Sequence, residues 1–241
     1  MIMIDVSNLK DALETLGFVA HGDIHEKVFP EIGCSLKVDF HAKKLIYPNE
    51  IKGRERNNGF DKKENFVVFE CVCRLLSKGY RPEHIELEKE WHLGHDPKGG
   101  RADICVTDTS GNMLFIIECK TWGREYDKAL NNTKSDGAQL FSYWQQEQSC
   151  KWLVLYASDL KGGCIVHKAS TIDCSDDANI VLLSKKDKSI KLYRDANTAS
   201  AKYEAWKETY GRQIHLLQGF RCLSNWGKTA SEKGPSRFHA R

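Results

Sequence analysis

The chain has 241 residues, 41% of them hydrophobic and 29% charged, with 5 Pro and 18 Gly, a composition that fits a globular protein with a real core and excludes collagen-like repeats or disorder over most of the length. No apolar run approaches the roughly 20 residues that cross a bilayer, and the N-terminus, MIMIDVSNLKDALETL, reaches acidic residues before a signal-peptide core can form. The net charge of +3 hides a cationic back end, with 16 basic and 9 acidic side chains in residues 151–241; polyanion binding and a merely solvated basic surface explain that equally well.

In chain order, Ser7 is a candidate cap for a short helix with Leu9, Leu13 and Leu16 on its apolar side and Gly17 at its end. Three extended stretches follow: EKVF, the alternating SLKVDF with Leu36, Val38 and Phe40 on one face, and KKLIYP, closed by Pro48. The polar NEIKGRERNNGFDKKE reads as a loop. From Glu64 to Lys78, ENFVVFECVCRLLSK is apolar nearly all round, which predicts a helix buried against a sheet and stopped at Gly79. Glu70 lies inside that apolar run, where an ionised carboxylate is costly unless paired or bound to a metal.

IELEKEWHL then alternates as a strand, the loop GHDPKGG follows, and ADICVT and MLFIIECK form an antiparallel hairpin about the turn DTSGN. A helical region from about Arg124 to Gln148, broken near Ser135-Asp136-Gly137, precedes two strands, KWLVLYAS and GCIVHKA. This order predicts an α/β sandwich around one mixed sheet. NIVLL and SIKLY read as a further hairpin, ASAKYEAWKETY as a helix with Tyr203, Trp206 and Tyr210 along one side, and the aperiodic LSNWGKTASEKGPSRFHAR as a disordered end. The nine cysteines, an odd number without a CxxC pair, read as reduced thiols of a cytoplasmic protein. A zinc site built from Cys71 and Cys73 with histidines has little support from the spacing.

Side chains two apart on a strand face the same way, so Glu118 and Lys120 project together from the end of FIIECK. Folding the hairpin about Ser110-Gly111 brings Asp103 opposite residue 117 or 118, and a slip of one residue would turn it to the other face. Converging carboxylates repel unless a cation sits between them, and oxygen ligands with open positions suit Mg²⁺ or Mn²⁺. Such an ion activates water and offsets charge on a phosphodiester. The plainer reading is that Asp103 caps a loop while Glu118 and Lys120 make an ordinary ion pair. The conjunction of an upstream Asp one hairpin away, an apolar strand before the ExK and a carboxylate in the preceding helix favours chemistry.

GRAD followed by IIECK, after a helix carrying an acidic residue and before a helix with QLFSY, resembles the PD-(D/E)xK nuclease superfamily. The likeness is closest to its RecB-like branch and to the N-terminal nuclease domain of type I restriction enzyme R subunits, over about residues 60–170. It implies a restriction-endonuclease-like αβββαβ core, with a mixed central sheet flanked by helices, at 60–170. Around that core we expect a small N-terminal α+β extension at 1–59, a hairpin and helix packed on it at 171–215, and a basic disordered tail at 216–241. The resemblance further implies that Asp103 and Glu118 hold the metal with the Cys119 carbonyl as a further ligand, that Lys120 is the catalytic lysine, and that Glu70 supplies the acidic group of the first helix. Glu64 is a less favoured substitute, since a helix start attracts acidic residues anyway. Gln139 and Tyr143 match the QxxxY motif; they share a helix face and would orient the lysine or touch the DNA backbone.

The implied protein is a cytoplasmic, Mg²⁺-dependent endodeoxyribonuclease, with Mn²⁺ as substitute, cutting double-stranded DNA in restriction or a related phage defence. Its expected partners are a methyltransferase or ATP-driven translocase subunit, or a second copy of the chain. The alternative is a catalytically inactive nuclease-fold module that binds nucleic acid or protein. The chain departs from the family in having Ala102 where the name has proline, and it carries neither a GxxxxGK loop nor methyltransferase motifs. Six further positions invite a functional reading. His92 and His95 are loop residues before they are ligands, and Lys98 and Arg101 either hold a phosphate or, for Arg101, brace the loop. Trp122 and Trp144 either stack on bases or, the favoured reading, pack between helices.

Overall fold

The computed structural model describes residues 4–91, 100–136 and 138–185. The first helix, α1 (Leu9–Thr15), buries Leu9, Ala12 and Leu13. Ser7 does not cap it: Asn8 occupies the cap position, and the Ser7 hydroxyl donates instead to Asp5 Oδ1 at 2.5 Å. The strands β1 (Val19–His21), β2 (Ile24–Phe29), β3 (Cys34–Asp39) and β4 (Lys44–Ile46) form an antiparallel sheet in that order. The alternation in SLKVDF sends Leu36 and Val38 fully inward. Strand β1, exposed at all three residues, carries no apolar alternation and was not expected.

Helix α2 (Lys63–Ser77) buries 11 of its residues because it has apolar surface on both sides of it. Phe66, Phe69, Val72 and Leu76 join one core with Leu36, Val38 and Leu45 of the first sheet and Phe115, Ile117 and Val154 of the second. Each such side chain contributes about 1.5–3 kcal/mol by leaving water.

The second sheet has the order β5 (Ile85–Glu90), β6 (Arg101–Thr107), β7 (Met113–Cys119), β8 (Trp152–Lys161) and β9 (Cys164–Asp173). All neighbours are antiparallel except β7 and β8, which run parallel and are joined over the sheet by α3 (Arg124–Asp136) and α4 (Ala138–Gln146). A parallel pair needs such a crossover. On the face opposite α2, Ile116, Leu153 and Leu155 pack with Tyr126, Leu130, Leu140 and Tyr143 of these two helices. The expected mixed α/β fold, with helix, three strands, helical crossover and strand around a mixed sheet, is therefore present.

NIVLL is not a strand. Residues 179–183 lie in α5 (Asp177–Ser184), whose start is held by Asp176 Oδ1 accepting from Ala178 N at 3.1 Å. That cap outweighs the β-branched composition that pointed to a strand. SIKLY, the helix expected at ASAKYEAWKETY and the tail lie outside the described residues, as do His92, His95 and Lys98. Among the described residues no helix is long and apolar enough to cross a membrane.

Candidate active site

The register of the β6–β7 hairpin decides whether the acidic groups meet. Ile104 pairs with Ile117, so the next position sets Asp103 beside Glu118, on adjacent strands. The shift between Val106 and Thr107, which leaves Leu114 as an extra residue, produces this alignment. Asp103 Oδ2 accepts the backbone N–H of Cys119 at 2.7 Å, which fixes its carboxylate at the end of β7.

Lys120 follows directly, and its own N–H donates to Tyr156 O at 2.8 Å, keeping it in line with β8. Its ammonium donates to Glu118 Oε1 at 2.6 Å, to Glu64 Oε1 at 3.0 Å and to the Cys119 carbonyl at 3.0 Å. Burial and the charges of Glu118 and Glu64 push the Asp103 carboxyl well above the usual range. Burial likewise raises Glu118, with Lys120 and Tyr143 acting against it. Burial alone would lower the Lys120 ammonium, but Glu118, Glu64 and Asp103 outweigh it and hold it above the ordinary lysine range.

From the α4 side, the fully buried Tyr143 places its hydroxyl 3.0 Å from Glu118 Oε2 and 2.5 Å from the Arg101 carbonyl. Gln139 donates to the same hydroxyl. The two residues, one turn apart, therefore act in series: Gln139 holds Tyr143, and Tyr143 holds Glu118. Burial and then the Glu118 charge raise the phenol above its usual range, so it stays a donor.

Glu70 is not brought to this cluster. Its carboxylate takes Arg74 Nε at 2.8 Å and the Tyr156 hydroxyl at 2.7 Å, a buried pairing that leaves no demand for a metal. Glu64, in the first turn of α2, supplies the helix-borne carboxylate at the site instead. Arg101 braces rather than reaches out, pairing with Glu88 at 2.6 Å and Glu90 at 4.0 Å. Glu88, buried and next to Asp103 across the β5–β6 pairing, was missed: with Leu87 before it and Lys89 after it, the local sequence reads it as one more acidic residue on the polar side of the strand. Trp144 stacks on Phe141 at 5.6 Å, whereas Trp122 lies under the ammonium groups of Lys161 at 4.1 Å and Lys168 at 4.7 Å.

Among the described residues no three His, Cys, Asp or Glu side chains close into a metal cage, and Cys71 and Cys73 are free and buried. Asp103, Glu118 and the Cys119 carbonyl are a set of hard oxygen donors whose like charges are incompletely offset by one ammonium. Mg²⁺ is commonly held by only one or two carboxylates, with water and substrate phosphate completing its shell, and this donor set fits it. Glu118 and Glu64 open on a cleft of about 480 Å³ whose walls also include Lys120, Lys128, Asn132 and Gln139. It lies at the carboxyl end of the parallel pair β7–β8, where open α/β sheets take their ligands.

No curated protein matches the chain. Residues 64–173, from Glu64 through Asp103, Glu118, Lys120 and Tyr143 to the end of β9, match the family model of the type I restriction enzyme R protein N terminus, the family that the motifs resemble.

Proposed function

We propose that the chain is a divalent-metal-dependent endodeoxyribonuclease, the nuclease part of a restriction or related phage-defence system, hydrolysing phosphodiester bonds of double-stranded DNA. One observation carries the reading: the Lys120 ammonium is shared by Glu118 and Glu64 at 2.6 and 3.0 Å, beside Asp103 of the neighbouring strand, in an open cleft. The family match over the same residues supports it.

Asp103, Glu118 and the Cys119 carbonyl would hold Mg²⁺, or Mn²⁺ in its place, which supplies Lewis acidity and offsets charge developing on the phosphate. The remaining work falls to side chains. Lys120, held by Glu118, Glu64 and the Cys119 carbonyl, would position or deprotonate the attacking water and offset charge on the phosphate. Glu64, half-exposed at the cleft, accepts one Lys120 hydrogen bond and thereby aims the ammonium. Tyr143 and Gln139 fix the Glu118 carboxylate. Backbone contacts of this kind position DNA without reading its sequence, so sequence choice and DNA delivery would rest with a methyltransferase or translocase subunit.

Supercoiled plasmid incubated with the purified chain and Mg²⁺ tests the reading. The wild type should nick it, EDTA should abolish nicking, and Glu118→Ala and Lys120→Ala should each slow it at least about 100-fold. Equal nicking by wild type and variants would mean a contaminant. A wild type that binds DNA but never cuts with any divalent ion would be the inactive nuclease-fold module instead.

A further inference from the structure

The cleft has one wall to which nothing above gives a role. Glu125, Lys128, Ala129, Asn132 and Thr133 of α3 all line it, at the three- and four-residue spacing that puts side chains on one helical face. Glu125 is engaged with Thr121 and Lys120 is divided between Glu118 and Glu64. Lys128 has no ion-pair or hydrogen-bond partner among the described residues, and neither has Asn132; both are exposed.

The cleft's charge makes this free cation informative. Three carboxylates, Glu64, Glu118 and Glu125, line it against two ammonium groups, one of which is already committed. A polyanionic strand entering there meets like charge at Glu64, Glu118 and Glu125, and of the two ammonium groups lining the cleft only that of Lys128 is not already engaged by a carboxylate. Asn132 stands four residues further along, about 6 Å on, and its amide offers two donors that need no charge. Below them Leu140 and Leu155 give an apolar floor against which a deoxyribose can lie.

We infer that Lys128 and Asn132 form the substrate-holding wall of the cleft and grip the phosphodiester adjacent to the one that is cut. The inference rests on the nuclease reading above and adds to it the residues that hold the strand. Lys128 supplies the charge and is the group whose contact with phosphate releases counterions; Asn132 fixes where the phosphate sits along α3.

Binding of a fluorescent double-stranded oligonucleotide, followed by anisotropy between 50 and 200 mM salt in a Glu118→Gln background with Mg²⁺ present, tests the inference, together with KM for plasmid nicking in the otherwise wild-type chain. Lys128→Ala should raise Kd and KM about tenfold and lower the log–log salt slope by about one. Adding Asn132→Ala should weaken binding further without changing the slope again, and Lys128→Arg should restore most of the affinity. Lys37→Ala, on the N-terminal sheet and paired with Glu26, should change nothing. Both positions are exposed on a helix surface, so the variants keep the fold, which their thermal melts will register. If Lys128→Ala matches its parent in Kd, KM and slope while the wild type still cuts, the inference is overturned and the nuclease reading stands. If the wild type neither binds nor cuts DNA, both fall together.

Discussion

Glu64 and Glu70 stand six residues apart on α2, so they point about 120° apart around its axis and cannot serve one site. The acidic residue buried among Val67, Val68, Phe69, Cys71 and Val72 looks the more purposeful of the two. Its partner, however, is only four residues on: Arg74 covers it from the same face, and the Tyr156 hydroxyl completes the set. The i,i+4 spacing was visible in FECVCR, but the tyrosine lies 86 residues away and no local pattern announces it. The two carboxylates should therefore fail differently. Glu70→Ala strands a buried guanidinium and should cost about 3–5 kcal/mol of stability in urea denaturation. Glu64→Gln should leave the unfolding midpoint nearly unchanged and slow nicking at least about tenfold, because Lys120 loses one of its acceptors. If the two variants swap these phenotypes, the carboxylate at the site is Glu70.

Among elements, the β6–β7 hairpin shows where sequence reading ends. Its strands, its turn and the side-by-side projection of Glu118 and Lys120 follow from alternation and turn residues. Whether Asp103 falls opposite residue 117 or 118 does not, because the answer depends on one extra residue, Leu114, absorbed next to the turn. A bulge is a local choice made by packing on both faces, with Leu114 turned toward the α2 core and Met113 toward α3 and α4. The second glycine of GGRAD is a similar case. It reads as loop punctuation, yet a Cβ at Gly100 would lie 2.7 Å from Cε1 and 2.9 Å from Cδ1 of Tyr143. That ring cannot yield easily: it is fully buried, stacked on Trp91 at 5.6 Å, and its hydroxyl is tied to Arg101 and Glu118. Gly100→Ala should displace Tyr143 from Glu118. We expect about 1–3 kcal/mol of overpacking cost in a thermal melt and nicking slowed at least about tenfold while the protein remains folded. Full activity in this variant would mean that the Tyr143 contact with Glu118 is dispensable.

At the scale of the whole molecule, the family match begins at residue 64, but the hydrophobic core does not. Leu36, Val38, Leu45 and Ile51 pack with Phe69, Leu76, Leu87 and Phe115 in one cluster, so α2 is covered on one side by the N-terminal sheet and on the other by the central sheet. The chain between them also borders β5: Lys52 N donates to Ile85 O at 3.3 Å and Leu87 N to Lys52 O at 2.8 Å, occupying an edge that would otherwise be open. Gly53 makes this approach feasible. Its φ of +73° disfavours any side chain, and a Cβ there would fall 1.9 Å from the Leu87 carbonyl oxygen, which is backbone and cannot rotate away. Gly53→Ala must therefore push the segment off β5, costing at least about 2 kcal/mol. All six tryptophans lie at or beyond residue 91, so indole fluorescence reports only the half of the chain that carries the site. If the two sheets share one cooperative core, this substitution in the N-terminal half should lower the fluorescence-detected midpoint by the same amount as the far-ultraviolet dichroism midpoint. Two transitions, with the fluorescence one unmoved, would mean that residues 1–59 fold on their own and that the site does not depend on them.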